Sequence, residues 1–267
     1  MREIRPSGLE GGVRSIPHPY PYSELQPSFV ASSVHTSILS LGLPLGGGIA
    51  LARGTGVVGS LPAFMAPEKL IIFCKAPRPG FVKTRLAASL GSEPASRIYA
   101  ELLQTVLHRV RQVSGIQLCF APPDAREEVA RLRLSPTWEL RSQDDGDLGE
   151  RMFLAFASAF ETGSVRVLLI GTDTPELQVS DLQEAFESLR GHDLVLGPAF
   201  DGGYWLIGLK APQPQLFKGI DWSTDRVFAE TVRRAKHHGL KTHLLRVLAD
   251  IDTVEDWQNY QKRKGAS

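Results

Sequence analysis

Only two cysteines, Cys74 and Cys119, occur in 267 residues, and both lie in apolar, strand-like runs. Buried reduced thiols are expected, not a disulfide or a metal pair, and a reducing cytoplasm fits. Seven histidines are present, but no HExxH, CxxC or GxSxG string occurs. His237 and His238 are adjacent, so on a helix they point apart. A zinc enzyme and a serine hydrolase are therefore not expected. The GxxxxGK[ST] phosphate loop is also absent. Net charge is +1, too small for bulk attraction to nucleic acid or membrane, so neither is expected as a partner. Acidic and basic residues are missing between Glu24 and Arg53, a gap holding SILSLGLPLGGGIAL. Pro44 and Gly46–Gly48 interrupt that short run, so no stable membrane insertion is expected. A long polar stretch ahead of it argues against a signal peptide.

What is present is ordinary for a soluble globular chain, with 42% hydrophobic and 22% charged residues. Residues 1–66 are rich in Gly, Pro and Ser and show no sustained period. They read as a poorly ordered N-terminal extension, with Met65 as an alternative start. From Lys69 the pattern changes. Strands are expected at Leu70–Cys74, Ile116–Phe120, Trp138–Leu140, Val165–Ile170, Asp193–Leu196, Tyr204–Leu209 and Lys241–Val247. Helices alternate with them. One is capped by Ser92 and carries an apolar face of Ile98, Leu102, Val106, Val110 and Val113. Others run over Pro123–Leu134, Arg151–Phe160, Asp181–Arg190 after a Ser180 cap, and Asp225–His238. Thr253 with Asp256 reads as a capping box opening the last helix. This alternation predicts one α/β domain with a mostly parallel sheet over residues 67–267.

Parallel sheets place chemistry at the carboxyl ends of their strands, so five loops are of interest. In VRVLLIGTDTPEL a branched apolar run stops at Gly171 and Asp173 follows. Asp173 is placed to hold a divalent cation, or simply to form a turn. KAPRPGFVKTRL brings Arg78, Lys83 and Arg85 to a stiff loop that opens a helix. It reads as a phosphate site or a solvated basic turn. GPAFDGGYWLIGL sets Asp201 before Gly202 and Gly203. It reads as a ligand contact in preference to an Asp-Gly turn joining two strands. ADIDTVEDW carries Asp250 and Asp252 after the last strand and offers a second carboxylate to complete a cation site with Asp173, or acids at a helix start. In DDGDLGERM, Arg151 is placed to reach a phosphate, while the acids read as a solvated turn.

FCKAPRPGFVKTRL, DLGERM, LIGTDTPEL, GPAFDGGYWLIGL, IDWSTDRVF and DIDTVEDW, in this order over residues 69–260, resemble a bacterial family of glycosyltransferase-A-like proteins. It is a domain of unknown function (DUF2064-type) in the nucleotide-diphospho-sugar transferase superfamily. The resemblance implies a single-domain, three-layer α/β/α sandwich of that type. It also implies transfer from a nucleotide-diphosphate donor, with Mg2+ or Mn2+ on the diphosphate. Sugar transfer from a nucleotide-sugar to an acceptor is the first reading. Nucleotidyl transfer from a nucleoside triphosphate to a phosphorylated acceptor, releasing pyrophosphate, is the alternative, and a non-catalytic nucleotide-binding protein is the second. The family's metal acid maps onto Asp173, with Asp252 as its partner. Lys83 and Arg85 would stabilise the leaving phosphates, with Arg78, Arg151, Gly202 and Gly203 as further phosphate contacts. Asp201 is the candidate base. Tyr204, Trp222, Thr224 and Asp225 fall on the acceptor side.

Overall fold

The structure, a computed structural model, describes residues 67–133 and 135–265. The expectations for residues 1–66 lie outside the described residues. The chain runs β1 (Glu68–Lys75), α1 (Thr84–Leu90), α2 (Ser92–Val110), β2 (Ile116–Ala121), α3 (Arg126–Leu132), β3 (Glu139–Ser142), α4 (Leu148–Glu161) and β4 (Arg166–Ile170). It continues through α5 (Val179–Ser188), β5 (Leu194–Pro198), β6 (Tyr204–Leu209), α6 (Val227–His237), β7 (Thr242–Leu244) and α7 (Val254–Gly265). The seven strands form one sheet in the order β3-β2-β1-β4-β6-β5-β7.

The central strands are short apolar runs because both faces are covered. Leu70, Ile72 and Cys74 of β1 pack with Leu103, Val106 and Val110 of α2 and with Leu182 and Phe186 of α5. The alternate residues, Ile71 in β1 and Val167 and Leu169 in β4, point to the other face and are also buried. The result is the three-layer α/β/α sandwich. Truncating a residue such as Leu70 or Leu168, both fully buried, would cost about 2–5 kcal/mol. Arg166 interrupts the apolar run of β4 only at its first residue, where it pairs with Glu68 at 2.9 Å.

Most strand pairs are parallel, but β6 runs antiparallel to both β4 and β5. The reason is the GPAFDGG connection, which folds back at once: Ala199 N–H donates to Gly203 O at 3.1 Å. The hairpin reading of this loop is therefore the geometric one. It has a consequence for the site. Ile170 pairs with Leu206, so the start of β6 lies beside the end of β4, and Asp201–Gly203 reaches the same edge as Gly171–Asp173.

Two caps differ from expectation. Gly91, with φ 87°, precedes α2, and Ser92 is its first residue, not its cap. Gln178 precedes α5, its N–H donating to Asp181 Oδ2 at 2.7 Å, and the helix begins before Ser180. The box at Thr253 and Asp256 forms as expected, with Thr253 N–H donating to Asp256 Oδ2 at 2.8 Å. No helix among the described residues is long and apolar enough to cross a membrane.

Candidate active site

The chain passes from β1 through β2 to β3 on one side, then returns as β4 on the other side of β1. Strand order reverses between β1 and β4, and open α/β sheets hold ligands in the crevice outside such a point. A cleft of about 740 Å3 opens there. It is lined by Lys83, Arg85, Arg151, Asp173, Asp201, Gly203, Tyr204, Trp222, Thr224, Asp225 and Asp252, all singled out from sequence.

Lys83 is at its centre. It stands at the residue before α1 in a left-handed conformation, φ 47° and ψ 53°, which costs a non-glycine residue about 1–3 kcal/mol. Its side chain is 4% exposed, and its Nζ lies 2.6 Å from Asp173 Oδ1 and 2.8 Å from Asp252 Oδ1. Burial opposes the charged form of Lys83, but the two carboxylates outweigh it and hold its pKa above the ordinary lysine value. Asp173 Oδ1 is buried with no donor aligned for a hydrogen bond, so its contact with Lys83 is ionic. Arg85 approaches the other side of Asp252, 3.7 Å from Oδ2.

Asp252 lies 79 residues after Asp173 in sequence and is brought to it by backbone bonds. After β7 the chain crosses the strand ends. Leu248 N–H donates to Pro198 O at 3.1 Å, and Ile251 N–H to Asp173 O at 2.9 Å. The same strap buries Asp250, whose Oδ1 accepts the Thr174 hydroxyl. Burial, with the nearby carboxylates of Asp201 and Asp173, pushes the Asp250 carboxyl up to about 7 against the opposing pull of Thr174 and Lys83.

The cleft has two unlike walls. Lys75, at the end of β1, adds a cation that the sequence reading passed over. Its backbone is fixed by Tyr99, whose hydroxyl accepts Lys75 N–H at 2.8 Å and meets Thr172 Oγ1 at 3.1 Å. Arg151 comes from the first turns of α4 and donates to Gln143 Oε1 at 2.9 Å. Gln143 in turn donates to Cys74 O and Cys119 O at 3.2 and 3.0 Å, which aims Arg151 from the ends of β1 and β2. The opposite wall carries Asp201 and Asp225. Asp201 Oδ1 accepts Gly203 N–H at 2.9 Å. Among the described residues neither acid has an ion-pair partner, and nor does Asp250.

Two candidates fall outside the cleft lining. Arg78 turns away and is taken up by Glu128, at 2.6 Å from Nη2, and Asp124, at 2.9 Å from Nη1. These hydrogen-bonded carboxylates hold its pKa above the ordinary value. Gly202 serves as a joint. With φ 87°, it sits so close to the segment leading into α6 that a Cβ there would come within 2.1 Å of Asp225 O. Its carbonyl accepts Phe228 N–H at 2.9 Å. The glycine of DLGERM has a related use: a Cβ on Gly149 would lie 2.5 Å from the Trp222 ring, so its absence seats Trp222 on α4.

A family model described as "Uncharacterized protein conserved in bacteria (DUF2064)" matches residues 105–224. A crystal structure from Desulfovibrio desulfuricans G20, provisionally named a nucleotide-diphospho-sugar transferase, is 35% identical with a TM-score of 0.70. The match covers 76% of this chain and 90% of that one. The chain belongs to this bacterial nucleotide-diphospho-sugar transferase-like family. The inositol-1-phosphate CTP transferase from T. maritima is 13% identical with a TM-score of 0.50, covering 72% of this chain and 91% of that one. That likeness is one of fold. No curated protein matches the chain.

The family model ends at residue 224, before Asp225, Asp250 and Asp252. Lys75, Lys83 and Arg85 likewise lie before its first matched residue, 105, and the acids are brought to the matched segment by the strap across Pro198 and Asp173. Lys75 and Asp250 had a weak signal in sequence. Each is a charged residue adjoining a buried strand or strap, and neither sits in a pattern that separates a cleft residue from a solvated one.

Proposed function

We propose that the protein transfers a sugar from a nucleotide-diphosphate donor to a hydroxyl acceptor, with the help of a divalent cation. The observation that carries this reading is the convergence of Lys75, Lys83, Arg85 and Arg151 with Asp173 and Asp252 in one cleft at the strand-order reversal. A diphosphate is the ligand that such a cation set suits, since several fixed positive charges can stabilise the charge that grows on the leaving group. The relative from Desulfovibrio desulfuricans supports a nucleotide-sugar as donor.

Asp173 and Asp252 supply hard carboxylate oxygens of the kind Mg2+ and Mn2+ prefer. Among the described residues no group of three or more His, Cys, Asp or Glu forms a ready-made metal cage, so the remaining ligands would come from donor phosphates and water, as is usual for Mg2+. Asp173 is 45% exposed although its inner oxygen is buried, which leaves its outer oxygen facing the cleft. The cation would add charge neutralisation at the diphosphate.

The other wall distinguishes the acceptor. Asp201, Asp225 and Asp250 line it without any Lys, Arg or His from residues 201–252. A phosphorylated acceptor would meet like charge there, whereas a hydroxyl group finds acceptors for its proton. This favours sugar transfer over nucleotidyl transfer to a phosphate. In the step, the acceptor oxygen bonds to the anomeric carbon, the bond from that carbon to the diphosphate breaks, and the acceptor proton passes to the Asp201 carboxylate.

A thermal-shift panel of nucleotide-sugars and nucleoside triphosphates, with and without Mg2+ or Mn2+, tests the reading. A nucleotide-sugar should raise Tm in a metal-dependent way; ligand at a hundredfold Kd adds about 2.7 kcal/mol. Preference for CTP or GTP would replace sugar transfer with nucleotidyl transfer. Silence from every nucleotide would remove both.

A further inference from the structure

Lys83 fills the space between the two carboxylates that would bind the divalent cation. A single ammonium contacts Asp173 Oδ1 and Asp252 Oδ1 at 2.6 and 2.8 Å. Its side chain is 4% exposed, while those of Asp173 and Asp252 are 45% and 36% exposed. The acids thus open to the cleft, and the ground between them is closed by the lysine. A divalent ion held by the outer oxygens of the same two carboxylates would still stand close to that ammonium, in a poorly solvated position where like charges repel strongly. The backbone holds Lys83 there by a costly left-handed conformation, so this contact is specified by the loop and is not a chance of a mobile surface chain.

We infer, on the reading of the donor site given above, that Lys83 and the divalent cation exclude each other at the Asp173–Asp252 pair. The ion then enters together with a nucleoside diphosphate, whose phosphates give the displaced ammonium a new partner. Metal and nucleotide binding become coupled: each strengthens the other by the same factor. Without nucleotide, the two acids are neutralised from within the chain.

Mn2+ titration of the full chain, followed by loss of the free-ion paramagnetic resonance signal, tests this. Wild type alone should bind Mn2+ weakly. Lys83→Met and Lys83→Gln should each bind it about tenfold tighter or more, the equivalent of roughly 1.4 kcal/mol. Adding Asp173→Asn to either variant should cancel the gain. UDP, GDP and CDP, tried in turn with wild type, should include one that tightens Mn2+ binding. Tight Mn2+ binding by wild type alone overturns the exclusion, as does a folded Lys83 variant with no gain. If neither variant folds, wild type decides: weak binding that a nucleotide strengthens upholds the exclusion. The two readings fail separately. No response to any nucleotide, with the gain in Lys83→Met intact, breaks the transferase reading alone. Nucleotide binding with no such gain breaks the exclusion alone.

Discussion

The walls of the cleft come from different halves of the domain and carry different charge. Residues 73–173 contribute Lys75, Lys83, Arg85 and Arg151, with Asp173 as their acid. Residues 201–252 contribute Asp201, Asp225, Asp250 and Asp252, with no cation among them. Had the charges been mixed evenly, they would have cancelled into ordinary surface pairs worth about 0–1 kcal/mol each. Segregated, they leave one wall matched to a polyanion and the other to a group that gives up a proton. The two walls meet at Asp252, which Lys83 contacts at Oδ1 and Arg85 approaches at Oδ2.

The largest break in this comparison is expected from the acid wall. Asp201→Asn keeps the shape and the hydrogen bond from Gly203 N–H but removes the proton acceptor. Turnover, read as release of nucleoside diphosphate from the donor in the presence of acceptor, should fall about 10²–10⁴-fold, with donor affinity within about twofold of wild type. An equal loss in donor affinity would move Asp201 to the donor side. Next is Asp173→Ala, which leaves Lys83 with a single acid. The metal-dependent part of the nucleotide-induced Tm rise should vanish, corresponding to about a hundredfold loss in donor affinity, or roughly 2.7 kcal/mol. Survival of that part would take the cation away from Asp173.

A smaller effect separates two arginines that look alike in sequence. Arg151 faces the cleft, so Arg151→Ala should weaken donor binding about tenfold, as expected for one charge-assisted contact. Arg78→Ala should leave donor binding unchanged within about twofold, because its guanidinium is engaged by Glu128 and Asp124 and exposed ion pairs contribute little. Calorimetric titration with the donor found in the thermal-shift panel measures both. A tenfold loss on Arg78→Ala would put the whole Lys75–Leu86 loop against the phosphates.

These arginines show where a sequence is legible and where it stops. The inner strands were readable because each is a short apolar run closed by Gly, Pro or charge, and burial on both faces leaves little else it can be; the edge strands β3 and β7, polar and half-buried, carry a weaker signal. Asp173 was readable because it follows such a run directly. Asp252 was legible only as a carboxylate after the last strand, with a helix start as the other reading, since nothing local says that a strap after β7 crosses to Pro198 and Asp173. Arg78 was misplaced because a cation in a loop carries no sign of which acid it will meet; Glu128 lies fifty residues away. The reversal of β6 follows from the hairpin through Asp201, Gly202 and Gly203, the turn reading that ligand contact outranked in sequence. The burial of Lys83 was illegible: it stands among exposed Phe81, Thr84 and Arg85, and a lysine in such a loop carries no local sign of being buried.

The smallest expected effect concerns the floor of the cation wall. Cys74 belongs to the cleft lining, yet it is 3% exposed and its neighbours are Tyr99 and the core of β1. Burial, with Cys119 nearby, pushes its thiol up to about 12, and burial does the same to Cys119. The thiol is the neutral form, so a raised pKa keeps both residues protonated through pH 8 to 9, where an ordinary cysteine near 8.5 already ionises. Neither should react with a disulfide reagent in the folded protein at pH 8, and both should react once denaturant is added. One fast thiol in the native state would mean that the ends of β1 and β2 open beneath Lys75 and Gln143. The cation wall would then be a mobile surface, and a fixed set of charges could not be assigned to it. Two silent thiols would place Lys75 and Arg151 on a closed floor, which is what a preorganised phosphate site requires.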